Sequence, residues 1–119
     1  SSQKPSETLF SMTYDENDQI KVNLKNLILT KKGEYLGRPN FGTDLIELYH
    51  SSNKENVDEL AMEEVKNAVS VYMPFIDLED YTSKIVNATE INSPYIEISI
   101  KYSYKNKKNE VLLKLQFSR

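Results

Sequence analysis

The stretch LTKKGEYLGRPNFGTDL, residues 29–45, contains every glycine of the 119-residue chain. The glycines are Gly33, Gly37 and Gly42, and Arg38-Pro39 lies between the last two. A loop so rich in glycine suits a phosphate cradle, an active-site lid or a rigid joint between two helices. Which of these roles applies decides whether the chain is an enzyme.

The residues around these glycines do not fit a phosphate-binding loop. A Walker loop requires Lys and then Ser or Thr after its last glycine, but Gly42 is followed by Thr43-Asp44. The spacing also fails the G-x-G-x-x-G pattern of dinucleotide-binding folds. We therefore interpret the segment as a rigid joint, in which Gly33 ends the preceding helix and Glu34 bonds Arg38 or backbone amides. The residues assigned to the joint are Gly33, Glu34, Arg38, Pro39, Phe41 and Gly42.

Length and composition point to one folded domain without a cofactor. The net charge of −3 argues against a nucleic-acid partner, since phosphate binding requires a basic face. The chain has no cysteine, and no apolar run approaches the roughly 18 residues that span a bilayer, so we expect no disulfide and no membrane partner. We expect a flexible polar arm at residues 1–16 and a single domain at residues 17–119.

Three segments have helical periodicity. In the first of them, Ile20, Leu24, Leu27 and Ile28 form one apolar face. The first predicted helix has Asp18 as its N-cap and extends to about Lys32. The second is short and is capped by Thr43. The third covers residues 57–73, and its capping box begins at Asn56. Pro74 ends the third helix, because the residue before a proline is disfavoured in the α region.

The chain after Pro74 changes to a two-residue period. A strand is predicted over 84–91, followed by a turn at 92–94. Apolar residues then alternate on both sides of a polar turn at 105–109, which predicts an antiparallel hairpin. They are Ile96, Ile98, Ile100, Tyr102 and Tyr104, and then Val111, Leu113, Leu115 and Phe117. The predicted fold class is α+β: three helices followed by a small antiparallel β-meander.

Residues suited to catalysis are few. His50 is the only histidine, and no cluster of metal-ligating side chains accompanies it, so we interpret it as a surface or helix-end residue. Glu34 and Asp44 could form the carboxylate pair of a glycoside hydrolase, but Asp44 also suits a helix start. We predict no catalytic residues, no metal ligands and no enzyme.

The last strand poses a separate question, because an outer strand leaves backbone N–H and C=O groups unpaired. Only Lys114 and the tail Ser118-Arg119 would protect this edge. Either the 84–91 strand or the N-terminal arm covers the edge, or a partner adds a strand to it. The alternation pattern leaves both possibilities open.

The order of these motifs resembles the baseplate wedge and sheath-initiator family of contractile phage tails. This family has relatives in type VI secretion baseplates and has also been called lysozyme-like. The matching positions are Leu29-Thr30, Gly33-Glu34, Pro39-Asn40-Phe41-Gly42, Leu45 and Tyr72-Met73-Pro74. The terminal β-meander follows, so the resemblance covers residues 20–117.

The resemblance implies a structural protein whose domain is similar to the conserved domain of the sheath subunit. It implies that the protein joins the baseplate wedge to the sheath and initiates sheath polymerisation by strand addition at the C-terminal hairpin. The alternative is a small peptidoglycan-cleaving hydrolase of the baseplate. The implied partners are the tail sheath protein, the wedge proteins that form a helical core bundle and, as a further candidate, the tail tube. The implied location is the virion tail baseplate, assembled in the host cytoplasm.

The resemblance also assigns two partner-binding sites. The residues that would receive a sheath strand are Val111, Leu112, Leu113, Lys114, Leu115, Gln116 and Phe117. The residues that would contact the core bundle are Tyr72, Met73, Pro74 and Phe75. Many family members carry Glu-Pro-Arg where this chain has Met73-Pro74-Phe75. We therefore expect that the bundle contact is apolar here or is made elsewhere.

Overall fold

The computed structural model of the chain describes residues 15–51 and 55–116, in which three helices precede three strands. The elements are α1 (Glu16–Leu29), α2 (Leu45–Ser51), α3 (Val57–Tyr72), β1 (Asp77–Val86), β2 (Tyr95–Tyr104) and β3 (Lys107–Gln116). The strands form one antiparallel sheet in the order β1-β2-β3. The predicted α+β architecture is confirmed. Residues 1–14 of the predicted arm lie outside the described residues.

Helix α1 begins and ends earlier than the sequence pattern predicted. The N-cap is Asp15 rather than Asp18, because the Asp15 side chain accepts a hydrogen bond from the Asp18 N–H at 2.9 Å. The helix ends at Leu29, and Thr30 already has an extended backbone. The prediction that Gly33 ends the helix was therefore wrong. The cause is long-range: the Thr30 carbonyl accepts a hydrogen bond at 2.8 Å from the returning chain at Thr43.

The predicted caps of α2 and α3 were also wrong. The Thr43 hydroxyl donates to the Ile28 carbonyl at 2.8 Å, so Asp44 takes the N-cap position of α2 and its carbonyl accepts from the Leu48 N–H. Asn56 precedes α3 without a side-chain capping bond, because its backbone is not in the extended conformation that directs a cap at the helix. The end of α3 at Tyr72, before Pro74, lies within one residue of the prediction.

The strand predicted over 84–91 is instead β1, which covers residues 77–86. Only Tyr81 is buried along β1, and the register shifts between Leu78 and Asp80, so no regular alternation marks this strand in the sequence. Ile91 lies outside the sheet and is 88% exposed. The apolar residues near Ile91 suggested a strand that the fold places about seven residues earlier.

The predicted hairpin is confirmed, with a shorter turn than 105–109. Strands β2 and β3 are joined by Lys105-Asn106 alone, and both residues have positive φ, at 51° and 66°. This conformation is that of a type I′ turn, whose twist matches the twist of the strands. The alternating residues of both strands face the core, whereas Phe117 lies outside the described residues.

The core lies between the helices and one face of the sheet, with α1 against β3 and α3 against β1. Each buried apolar side chain contributes about 1.5–3 kcal/mol to folding. The largest fully buried side chains are Tyr102, Leu24, Leu27, Ile28, Leu45, Ile96, Ile98, Ile100, Val65 and Val111. The opposite face of the sheet carries exposed polar side chains such as Lys101 and Lys114, so the helices cover one face only.

Candidate functional site

The outer edge of β3 carries backbone groups without a partner strand in the described part of the chain. The sheet order places β1 on the far side of β2, so the 84–91 segment does not cover this edge and one of the possibilities left open by the sequence is excluded. In a two-residue hairpin, the residues that flank the turn exchange both backbone hydrogen bonds, and every second pair along the strands does the same. Since Tyr104 and Lys107 flank the turn, odd-numbered β3 residues bond to β2. The residues whose N–H and C=O point outward are Lys108, Glu110, Leu112, Lys114 and Gln116.

The charged side chains near this edge lie across the sheet. Lys114 should guard an outer strand, but its ammonium lies 5.0 Å from the centre of the Tyr95 ring on β2. Glu110 likewise accepts a hydrogen bond from Ser99 of β2 at 2.6 Å. Between them Leu112 is 61% exposed. The middle of the edge therefore combines outward-pointing backbone groups with an exposed apolar side chain.

The four residues predicted to contact a core bundle have different environments. Met73 is the C-cap of α3 and is buried, and its N–H donates to the Val69 carbonyl at 2.7 Å. Tyr72 is half-buried, Pro74 is exposed, and Phe75 is 53% exposed. The Phe75 ring packs edge-to-face on Tyr104 with centroids 5.9 Å apart. The accessible part of this corner is therefore Pro74 and Phe75.

The glycine-containing segment crosses back over the end of α1. Lys31 and Thr43 form a short parallel bridge, and the Glu34 carboxylate accepts a hydrogen bond from the Lys31 N–H at 3.3 Å. Gly42 has a φ of 115°, and a Cβ there would collide with the Thr30 carbonyl. Asp44 lies 3.9 Å from the Lys32 ammonium. Both carboxylates that the sequence suggested as a hydrolase pair thus have bonds within this crossing.

Two successive turns gather three side chains of the segment at intervals of three residues. The Arg38 N–H donates to the Tyr35 carbonyl at 3.1 Å, and the Phe41 N–H donates to the Arg38 carbonyl at 3.0 Å. The Tyr35 and Phe41 rings meet edge-to-face at 5.1 Å, and Phe41 meets Tyr72 of α3 at 5.0 Å. The Arg38 guanidinium lies 5.2 Å from the Phe41 ring centre and 5.4 Å from that of Tyr72. The three-residue spacing of positions 35, 38 and 41 is the only sign of this arrangement in the sequence.

A cavity of about 230 Å³ lies between α2, α3 and the outer side of β1. Its lining residues are Tyr49, Glu55, Val57, Asp58, Ser83, Lys84 and Ile85. The Tyr49 hydroxyl donates to Ser83 at 2.8 Å, and the Ser83 hydroxyl donates to the Asp58 carboxylate. The Tyr81 hydroxyl lies 2.9 Å from that of Tyr49, and burial raises the pKa of both phenols. Sequence reasoning missed this hydrogen-bonded chain because its members come from three separate elements, α2, α3 and β1.

His50 lies in the last turn of α2. Within residues 15–51 and 55–116, no group of three or more His, Asp or Glu side chains could hold a metal ion. No helix in the same ranges is long and apolar enough to cross a membrane. Three candidate surfaces follow from this geometry. They are the outer edge of β3, the cavity beside β1, and the Tyr72–Phe75 corner together with the Arg38 side chain that lies on Phe41 and Tyr72.

Comparisons with known proteins identify the family. A family model described as baseplate wedge protein gp25 matches residues 15–109. No curated protein matches the sequence. The crystal structure at 1.44 Å of a candidate tail lysozyme from Geobacter sulfurreducens has a TM-score of 0.72 and 22% identity, covering 89% of this chain and 95% of the other. At 22% identity, this similarity shows only that the two chains share a fold. Because the family match spans most of the chain, the chain belongs to the gp25 family of baseplate wedge proteins, which are structural components of the phage tail baseplate.

Proposed function

We propose that this baseplate protein initiates sheath polymerisation by accepting a strand of the tail sheath protein along the outer edge of β3. The observation that supports the proposal is the row of outward-pointing backbone groups on β3, which pairs with β2 alone in the described chain. An added strand would extend the sheet to four strands and satisfy these groups. Membership of a baseplate wedge family implies contact with other baseplate proteins, and the edge offers one such contact.

The side chains beside the edge favour an incoming strand with one apolar face. Val111 and Leu113 are buried on the helix side of β3, and Leu115 is half-buried there. A neighbouring strand would continue this apolar layer, since residues opposite one another on adjacent strands pack side by side. On the other face, the exposed Leu112 offers one apolar contact between Glu110 and Lys114.

Proline substitution at neighbouring β3 positions tests strand addition directly. Leu112→Pro removes an N–H that points outward, which an edge strand tolerates, whereas Leu113→Pro removes an N–H bonded to β2. We expect folded Leu112→Pro protein, with normal circular dichroism, to enter baseplates that fail to grow a sheath. Leu113→Pro should instead lose stability. Sheath length is measured by electron microscopy of tails assembled in the host.

Leu112→Ala is the matched control, because it removes the same side chain and keeps the N–H. Normal sheaths on Leu112→Ala baseplates and none on Leu112→Pro baseplates would support strand addition. Full-length sheaths on baseplates that contain folded Leu112→Pro protein would refute it.

The corner of Tyr72, Met73, Pro74 and Phe75 is the proposed contact with the wedge proteins that form a core bundle. Its accessible residues, Pro74 and Phe75, are apolar, so the contact would bury the Phe75 ring. Phe75→Ala should therefore reduce incorporation of the protein into the baseplate. The tail tube remains a further proposed neighbour, and assembly is proposed to occur in the host cytoplasm.

The alternative function, cleavage of peptidoglycan, would use an acid pair such as Glu55 and Asp58, which both line the cavity beside β1. Glycoside hydrolysis requires one carboxyl group that is protonated and a second that is ionised. Asp58 already accepts a hydrogen bond from Ser83 in the packing of α3 on β1. We expect the purified protein to leave peptidoglycan intact. Release of soluble muropeptides that is lost in Glu55→Gln or Asp58→Asn, but kept in Glu34→Gln, would establish the alternative.

A further inference from the structure

We propose that Arg38 forms a carboxylate-binding site, which fixes an acidic side chain of a wedge partner beside the Tyr72–Phe75 corner. The inference rests on the proposed wedge contact and names its chemistry. The partner segment would carry an Asp or Glu flanked by apolar side chains. The site lies on the crossing between α1 and α2, where the sequence suggested only a structural joint.

The first observation is that the guanidinium is held in place. It lies over the rings of Phe41 and Tyr72, at 5.2 and 5.4 Å from their centres, and these rings pack edge-to-face. Phe41 is buried, so it gives the stack a fixed base. A guanidinium that lies on aromatic faces keeps the N–H donors at its rim free for a planar acceptor, and a carboxylate matches that geometry with two parallel hydrogen bonds.

The second observation is that the acids of the crossing bond to other groups. Glu34 accepts from the Lys31 N–H, while Asp44 and Glu64 lie 3.9 and 3.6 Å from the Lys32 ammonium. Throughout the described residues, Arg38 has no side-chain hydrogen bond and no ion pair. Its five N–H donors are therefore available to a partner.

The third observation is that the two segments that meet at the Phe41–Tyr72 contact each carry an exposed apolar side chain. Leu36 lies inside the hydrogen-bonded turn from Tyr35 to Arg38 and is 95% exposed. Phe75 follows Tyr72 by three residues and is also exposed. Arginine and aromatic side chains are enriched at the centres of protein interfaces. Such a surface would exclude water around the pair and strengthen it.

This chemistry favours a protein carboxylate over a nucleic acid or a polyphosphate. Polyanions are bound by several cations on one face, whereas this chain has a net charge of −3 and the Arg38 guanidinium lies on two aromatic rings. A single guanidinium in an apolar setting suits one carboxylate.

The test is charge reversal in the full-length chain during phage assembly. Arg38→Glu should lower incorporation into baseplates at least about tenfold, because loss of a buried charge pair is costly and the new carboxylate would face the partner's acid. Arg38→Lys should give a partial loss, since lysine lacks the planar fork. Lys25→Glu, the same charge reversal at an exposed position of α1, should leave incorporation unchanged. Thermal unfolding checks that each variant is folded, and Arg38→Gln replaces Arg38→Glu if the latter does not fold.

Suppressor selection distinguishes partner binding by Arg38 from a role in the stability of this chain alone. Revertants of Arg38→Glu should map to a wedge protein and replace an Asp or Glu by Lys or Arg. Suppressors confined to this chain, normal incorporation of the folded Arg38 variants, or an equal defect in Lys25→Glu would each overturn the inference. If Phe75→Ala loses incorporation while Arg38→Glu does not, the corner contact stands without the carboxylate site. If both incorporate normally, both proposals fail.

Discussion

At the scale of single residues, Gly42 is fixed by two constraints that act together. Its φ of 115° lies in the region that residues with a side chain rarely adopt, and a Cβ would collide with the Thr30 carbonyl that bonds to Thr43. Gly37 also has a positive φ, of 81°, but open space surrounds the position of its absent side chain. The two glycines therefore look alike in sequence and differ in what they require.

We predict that Gly42→Ala destabilises the protein more than Gly37→Ala does. Positive φ alone costs an alanine about 1–2 kcal/mol, which is the whole effect expected at residue 37. At residue 42 the overlap adds to this, because the α1–α2 crossing must open. Urea unfolding of both variants measures the difference. Equal losses would show that the backbone of the crossing relaxes freely.

At the scale of elements, the hairpin and β1 represent opposite cases. Strands β2 and β3 bury one face each, so their apolar residues alternate and the hairpin could be predicted from the sequence. Strand β1 buries only Tyr81 and contains a register shift, so its sequence lacks the alternation of apolar and polar residues that predicts a strand. Its position is set by pairing with β2, a contact between distant segments. The hairpin turn contains only Lys105-Asn106, rather than the predicted residues 105–109, because cross-strand pairing extends to Tyr104 and Lys107.

We predict that Asn106→Ala destabilises the hairpin by about 1 kcal/mol, because Asn106 has a φ of 66° and alanine tolerates that conformation less well than asparagine. Asn106→Gly, the matched variant, should equal or exceed the stability of the native chain, since glycine adopts positive φ without strain. Thermal unfolding followed by circular dichroism compares the three proteins. A larger loss in the glycine variant would contradict the assigned turn type.

At the scale of the whole molecule, the start of α1 is tied to the tip of the hairpin. The Tyr104 hydroxyl donates to the Glu16 carboxylate, and the Lys105 ammonium lies 3.4 Å from the same carboxylate. These groups are nearly ninety residues apart in the sequence. The Tyr104 hydrogen bond, followed in weight by the effects of Lys105, lowers the pKa of Glu16 below its ordinary value of 4.5.

We predict that the stabilising effect of Glu16 depends on pH. The folded state binds a proton at Glu16 less readily than the unfolded state, so the effect is complete above pH 4.5 and is lost as pH falls through the lowered folded-state pKa. Glu16→Gln should therefore be less stable than the native chain at pH 7 and equally stable in strong acid. Tyr104→Phe should weaken the same pH dependence. A stability difference that stays constant from pH 7 to strong acid would contradict this account.

The order and spacing of the sequence motifs pointed to the family. The sequence by itself also determined the three helices, the terminal hairpin and the buried face of each. Those features depend on local periodicity, because a helix or strand that buries one face repeats its apolar residues at a fixed interval. Only the tertiary structure decided the caps of the helices, the position of β1, the direction of the β3 backbone groups and the Arg38 stack. Most of these depend on contacts between segments far apart in the chain, such as Thr43 with Ile28 and Phe41 with Tyr72. Such a contact leaves no pattern in either segment alone.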